Sequence, residues 1–121
     1  MKILQVNKFY YPKDGVSNYL LGLESKLKEL GHEVRIFAMD SPKNIDSPDK
    51  KYFVSYLSFD KKGLLNTWRS FARIFYSLEA KRKFSLLVED YKQDIIHIHN
   101  IYHQISPSIL RKEKKKNIPV I

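Results

Sequence analysis

The chain contains no cysteine. That excludes a disulfide framework and a thiolate nucleophile, and it fits a reducing compartment. Glycine is scarce, at four residues: Gly15, Gly22, Gly31 and Gly63. They form neither G-x-G-x-x-G nor G-x-x-x-x-G-K-[ST], so the usual dinucleotide fingerprint and the P-loop are both disfavoured. No apolar run approaches the roughly 20 residues of a membrane-spanning helix, and the first residues lack the basic-then-apolar pattern of a secretory signal. Acidic residues are outnumbered, with 13 Asp and Glu against 22 Lys and Arg and a formal charge of +9. This excess favours an anionic partner such as a nucleotide diphosphate, an acidic membrane surface or nucleic acid. Nucleic acid is the weakest of the three, because no RNA-binding or helix-turn-helix signature accompanies the charge. No Ser-His-Asp or Cys-His arrangement can be argued.

What is present begins with a β-turn-α-turn-β unit from Lys2 to Ala38. Lys2 to Val6 (KILQV) is an apolar, branched run, and Asn7 to Gly15 is an irregular loop. Val16, Leu20, Leu23, Leu27 and Leu30 recur at alternating spacings of four and three, which predicts one apolar helix stripe. Gly31 supplies the left-handed stop, and Val34, Ile36 and Ala38 resume a strand. A unit of this size implies parallel strands and a right-handed crossover. It sets the loop before the helix at the carboxyl end of the first strand, where open α/β sheets bind ligands.

The rest of the 121-residue chain continues the pattern of one small domain. Residues 40–51 read as a loop, Tyr52 to Phe59 as an edge strand and Asp60 to Gly63 as a turn. Leu64, Trp68, Phe71, Ala72 and Phe75 mark one helix face, and Ser77 reads as the cap of another helix lined by Ala80, Phe84, Leu87, Val88 and Tyr91. Asp94 to His99 reads as a strand, Ser106-Pro107 as a helix start, the lysine-rich stretch Arg111 to Lys116 as its end, and Ile118 to Ile121 as one more strand. The expected fold is therefore α/β, a Rossmann-like, doubly wound, largely parallel sheet. Stopping on a strand, it reads as the N-terminal part of something longer.

Few residues are placed for chemistry. Gly15 sits where free backbone N–H groups and the positive end of a helix dipole meet, and the lack of a Cβ lets a phosphate approach; the plainer alternative is a glycine needed for its φ angle. Gly22, inside the helix, is best explained by close helix-sheet packing. His97 and His99 project to one face of a strand, with His103 following in the loop. H-x-H-x-x-x-H admits a zinc reading, and hence a metal hydrolase, but no acidic or cysteine ligand is placed to complete it. His99 falls at the strand end, on the edge where the first strand ends at Asn7, so Asn7, Gly15, His99 and Asn100 converge if those strands are neighbours.

Lys2 to Pro12 (KILQVNKFYYP), Gly15-Val16 with the leucine stripe, Leu30 to Val34 (LGHEV), Ser77 to Ala80 (SLEA) and Asp94 to Leu110 (DIIHIHNIYHQISPSIL) resemble family 4 retaining glycosyltransferases of the GT-B fold. The last two pieces are similar to a bacterial branch that builds surface polysaccharides. The resemblance implies two Rossmann-like domains facing across a cleft, with this chain as the N-terminal, acceptor-side domain and the donor-binding C-terminal domain outside these residues. It implies metal-independent transfer from a nucleotide-sugar to a glycan or lipid-linked acceptor, with no cofactor, in the cytoplasm. By the same likeness Gly15 and Val16 meet the donor diphosphate and His99 sits beside the reacting sugar. Asn7, Tyr11, Asn100, Tyr102 and His103 belong to the acceptor side. Relatives often carry two glycines before the helix. Here the first is Asp14, whose charge would repel a diphosphate unless it caps the helix and turns away. Trp68, Arg69, Arg73, Lys81, Arg82 and Lys83 fit a peripheral contact with an anionic membrane, the alternative being that Trp68 and Phe71 belong to the core and the cations form a solvated helix face. The isolated chain is expected to be inactive. The competing reading is a non-catalytic Rossmann-like module completed by a partner chain.

Overall fold

The computed structural model describes residues 1–55, 66–101, 107–111 and 115–121. Its centre is β1 (Lys2–Asn7), paired in parallel with β2 (Glu33–Phe37) on one side and with β5 (Ile95–Asn100) on the other. Past β2, after Ala38, the chain runs into the two-residue β3 (Met39–Asp40), which pairs in parallel with β4 (Val54–Ser55). Past β5, Val120 bridges Ile96 in parallel. There Ile96 N–H donates to Pro119 O at 3.0 Å and Ile98 N–H to Ile121 O at 2.8 Å. The expected parallel α/β sheet is therefore present, and the last strand joins it through a single bridge.

Strand alternation gives the sheet two apolar faces. Leu4, Val6, Phe37 and Ile96 pack against α2 (Asn66–Tyr91) through Ala80, Phe84, Leu87, Val88 and Tyr91, and the Phe37 and Phe84 rings meet edge-on at 5.1 Å. On the other face Ile3, Val34, Ile36 and Ala38 pack with Tyr10, Phe53 and Leu20 of α1 (Gly15–Glu29). Helix α1 is closed at both ends. Asp14 is its N-cap, with Oδ1 accepting from Ser17 N–H at 2.9 Å. Gly31 lies at φ 88°, its N–H donating to Lys28 O at 3.0 Å while His32 N–H donates to Leu27 O at 3.0 Å. This double bond pattern is a Schellman stop.

Four expectations need correction. The leucine stripe of α1 does not all face inward: Leu20 is buried, Leu27 is half-buried, and Val16 and Leu30 are exposed. The buried line is Ser17, Leu20 and Glu24, because Ser17 Oγ takes a bond from Asn7 and Glu24 accepts from the Tyr10 hydroxyl at 2.9 Å. Those polar partners turn the helix. No helix starts at Ser77: α2 runs unbroken from Asn66 to Tyr91, with neither Gly nor Pro between to stop it. The strand expected over 52–59 is only Val54–Ser55 within the described residues. Tyr52 instead ends a 3-10 helix, Pro48–Tyr52, which Ser47 starts by accepting from Asp49 N–H at 3.1 Å. Asp49 in turn is buried and takes Ile36 N–H at 3.3 Å. Finally, a Cβ at Gly22 would meet nothing within 4 Å, so close packing does not explain that glycine. The turn over 60–63 and the Ser106 cap lie outside the described residues, as do the side chains of Trp68, Arg69, Phe71, Arg73 and Phe75.

Candidate functional site

The carboxyl ends of β1 and β5 lie side by side, as convergence of the two strands requires. The register runs from Ile3 opposite Ile95 to Val6 opposite Ile98 and then jumps to Asn7 opposite Asn100. The strand β5 thus carries one residue more than β1, and that residue, His99, has no opposite number. This is a bulge, the device by which a sheet re-aims a side chain.

Asn7 is 1% exposed. Its Nδ2 donates to Phe9 O at 2.8 Å and to Ser17 Oγ at 3.4 Å, tying the strand end to the following turn and to the first turn of α1. Its Oδ1 is buried with no partner. The loop itself is pinned three times at Tyr10, whose N–H donates to Asn44 Oδ1 at 3.2 Å, whose carbonyl accepts from Ile45 N–H at 2.9 Å and whose hydroxyl donates to Glu24. Burial and that carboxylate push the Tyr10 pKa up, so the phenol keeps its proton. Tyr11 is half-buried, with its ring 5.4 Å from that of Phe9. Sequence reasoning passed over Lys8 and Lys13, whose ammonium groups lie 5.1 and 3.8 Å from the Phe9 ring centre. Of the two, Lys13 is near enough to the N-cap to help hold the Asp14 carboxyl below its ordinary pKa.

Gly15 opens α1, and a Cβ there would meet nothing within 4 Å. Its φ is not the reason for glycine, since Gly31 is the glycine found at positive φ among the described residues. Gly15 thus leaves open space at a helix N-terminus, with exposed Val16 next to it. Asp14 turns its carboxylate onto Ser17 N–H, and that bond holds its pKa below the ordinary range. The carboxylate thus caps the helix and stays ionised.

His97 and His99 do share a face. Their rings are stacked 4.2 Å apart with a tilt of 35°. Faces meet faces, which is not how two imidazoles present lone pairs to one ion. Among the described residues no group of three His, Cys, Asp or Glu gathers to hold a metal. Burial, and secondarily the neighbouring His97, press the pKa of His99 down to about 4, and burial lowers that of His97. Nε2 of His99 is buried without a partner. A neutral imidazole with a spare nitrogen can donate to or accept from a ligand hydroxyl. Tyr19 of α1 meets the His99 ring at 5.8 Å and 63°, a contact that no sequence pattern announced. Asn100 ends β5, half-buried, and Tyr102 and His103 lie outside the described residues.

The Asn7, Gly15, His99 and Asn100 set is therefore brought to one edge of the sheet, with Tyr11 on the adjoining loop. A search among curated proteins found no match to this chain. The model of Glycosyltransferase Family 4 matches residues 13–121, which takes in Gly15, β5 and the bridged end of the sheet. The chain belongs to Glycosyltransferase Family 4.

Proposed function

We propose that this domain is the acceptor-side half of a retaining transferase that moves a hexose from a nucleotide-sugar to a glycan or lipid-linked acceptor. The observation that carries the reading is the meeting of an open helix N-terminus at Gly15 with a buried, unpartnered His99 nitrogen at the same sheet edge. The reaction joins the acceptor hydroxyl oxygen to the anomeric carbon and breaks that carbon's bond to the diphosphate, which leaves with the electron pair and takes up the hydroxyl proton on its departing oxygen. Its growing negative charge faces the positive end of α1, at Gly15 and Val16, and the Lys8 and Lys13 cations. The sugar ring meanwhile gains positive charge. An imidazolium beside it would oppose that change, whereas His99, with its pKa near 4, is neutral at pH 7 and can hold a sugar hydroxyl. Asn7, Tyr11, Asn100, Tyr102 and His103 are proposed for the acceptor. No metal or cofactor is required by this scheme.

The reading further assigns the enzyme to bacterial surface-polysaccharide synthesis at the inner face of the cytoplasmic membrane, as the family likeness of the β5 segment implies. A second domain supplies the donor pocket, so these 121 residues alone transfer no sugar. The test is His99→Ala in the complete enzyme. The turnover number is expected to fall at least a hundredfold while the donor dissociation constant changes less than about threefold, because an interaction made mainly in the transition state lowers kcat and kcat/KM together. A folded variant with unchanged kcat removes His99 from the chemistry.

A further inference from the structure

We infer that Tyr19 is the aromatic wall of the acceptor subsite, taking the C–H face of a pyranose against its ring. This rests on the transferase reading for the meaning of the site, but its geometry is independent of it. Tyr19 is 60% exposed, although it stands one turn into α1 from Gly15 and touches His99. It forms the outer end of a three-ring column: His97 stacks on His99 at 4.2 Å, and His99 meets Tyr19 at 5.8 Å and 63°. The inner two rings are half-buried and the third stands in the open.

Tyr19 contributes nothing to the core of either face, since the residues that α1 buries are Ser17, Leu20 and Glu24. Among the described residues its one recorded partner is the His99 ring. An aromatic side chain carries 150–250 Å² of largely apolar surface, and binding sites commonly line their walls with such rings while a few polar groups set orientation. Here the polar groups are on hand: the His99 Nε2 and the Asn7 Oδ1, both buried and unpartnered. A sugar is the ligand class that answers both features. One face of a pyranose is C–H and apolar, and its rim is hydroxyl. A diphosphate answers the positive helix end beside it and could take a bond from the Tyr19 hydroxyl, but it leaves the apolar face of the ring unused, and Tyr19→Phe separates the two.

The experiment is made on the complete protein with Tyr19→Ala and Tyr19→Phe. Saturation-transfer NMR is recorded with the methyl glycosides of glucose, galactose, mannose and N-acetylglucosamine as probes. At least one is expected to show transfer to its ring C–H protons, kept in Tyr19→Phe and lost in Tyr19→Ala. In sugar transfer, Tyr19→Ala is expected to raise the acceptor KM about tenfold with the donor KM unchanged, and Tyr19→Phe to behave as the parent. Equal signals in Tyr19→Ala and parent, no signal from any probe in the parent, or an acceptor KM that does not move each overturns the inference. Glycoside binding that depends on Tyr19 without transfer from any nucleotide-sugar would leave the subsite standing and remove the transferase reading. Transfer that ignores Tyr19 would do the reverse.

Discussion

A buried imidazole leaves a trace in how the protein responds to acid. His99 has a folded pKa of about 4, below its ordinary 6.5, because burial disfavours the charged ring. The unfolded chain therefore takes up the proton first as pH drops. The stability held by the neutral ring is complete above pH 6.5 and is lost on the way down to pH 4, at no more than about 1.4 kcal/mol per pH unit. Melting curves between pH 7.5 and 4.5 should show the parent falling more steeply than His99→Gln, and parallel slopes would contradict the assignment. His97, also lowered by burial, leaves some slope in the variant. Asn7 Nδ2 is held by Ser17 and Asp14 by the helix it caps, while Asn7 Oδ1 and His99 Nε2 are buried without a partner.

Two glycines of α1, one just past its end and one inside it, have opposite sensitivities. Gly31, at φ 88°, occupies a backbone region that side chains resist, so Gly31→Ala should destabilise by about 1–2 kcal/mol. Gly22 lies in the helix interior with open space around it, so Gly22→Ala should stabilise by up to about 1 kcal/mol. Urea titration of the two variants gives both signs, and a loss at Gly22 would show that something approaches it closely. The strand-helix-strand unit was legible in the sequence because its signals are local: a branched run, a repeat near 3.6 and a glycine stop. The rotation of α1 was not, because Ser17 and Glu24 are drawn inward by Asn7 and Tyr10, partners distant in the chain. Ser77 misled because a serine is both a good cap and an acceptable interior residue, and the lack of any breaker around it was the better signal. Gly15 and His99 could be placed from strand ends alone. The bulge at His99 and the contact of Tyr19 depend on cross-strand register and helix phase, which one strand's pattern does not contain.

Charge and shape together set where the domain can sit. The outer side of α2 exposes Leu78 (61%) and Leu86 (46%) along a shallow groove shared with Lys81, Arg82, Ser85 and Glu89. Lys83, expected on that surface, turns away to donate to Phe53 O at 2.8 Å and to pair with Glu79 at 2.9 Å. No described helix is long and apolar enough to cross a membrane. The proposed membrane contact is thus peripheral, with about 1 kcal/mol from each cation near an anionic surface. Sedimentation with vesicles containing phosphatidylserine should pull the protein down at low salt and release it at moderate salt; Lys81→Glu with Arg82→Glu should abolish this, and indifference to lipid charge would end the idea. The position of β1 reaches further, into how the molecule comes to exist. Its partner on one flank begins at residue 33, but on the other Lys2 meets Asp94, 92 residues away. β1 is therefore made before either of its neighbours in the sheet, and one of its hydrogen-bonding edges stays open until the residues around Asp94 have been made. Long-range parallel pairing of this kind forms slowly and exposes an unpaired edge to the wrong neighbours meanwhile. The same topology that brings Asn7 beside Asn100 makes the nascent chain depend on protection while it waits.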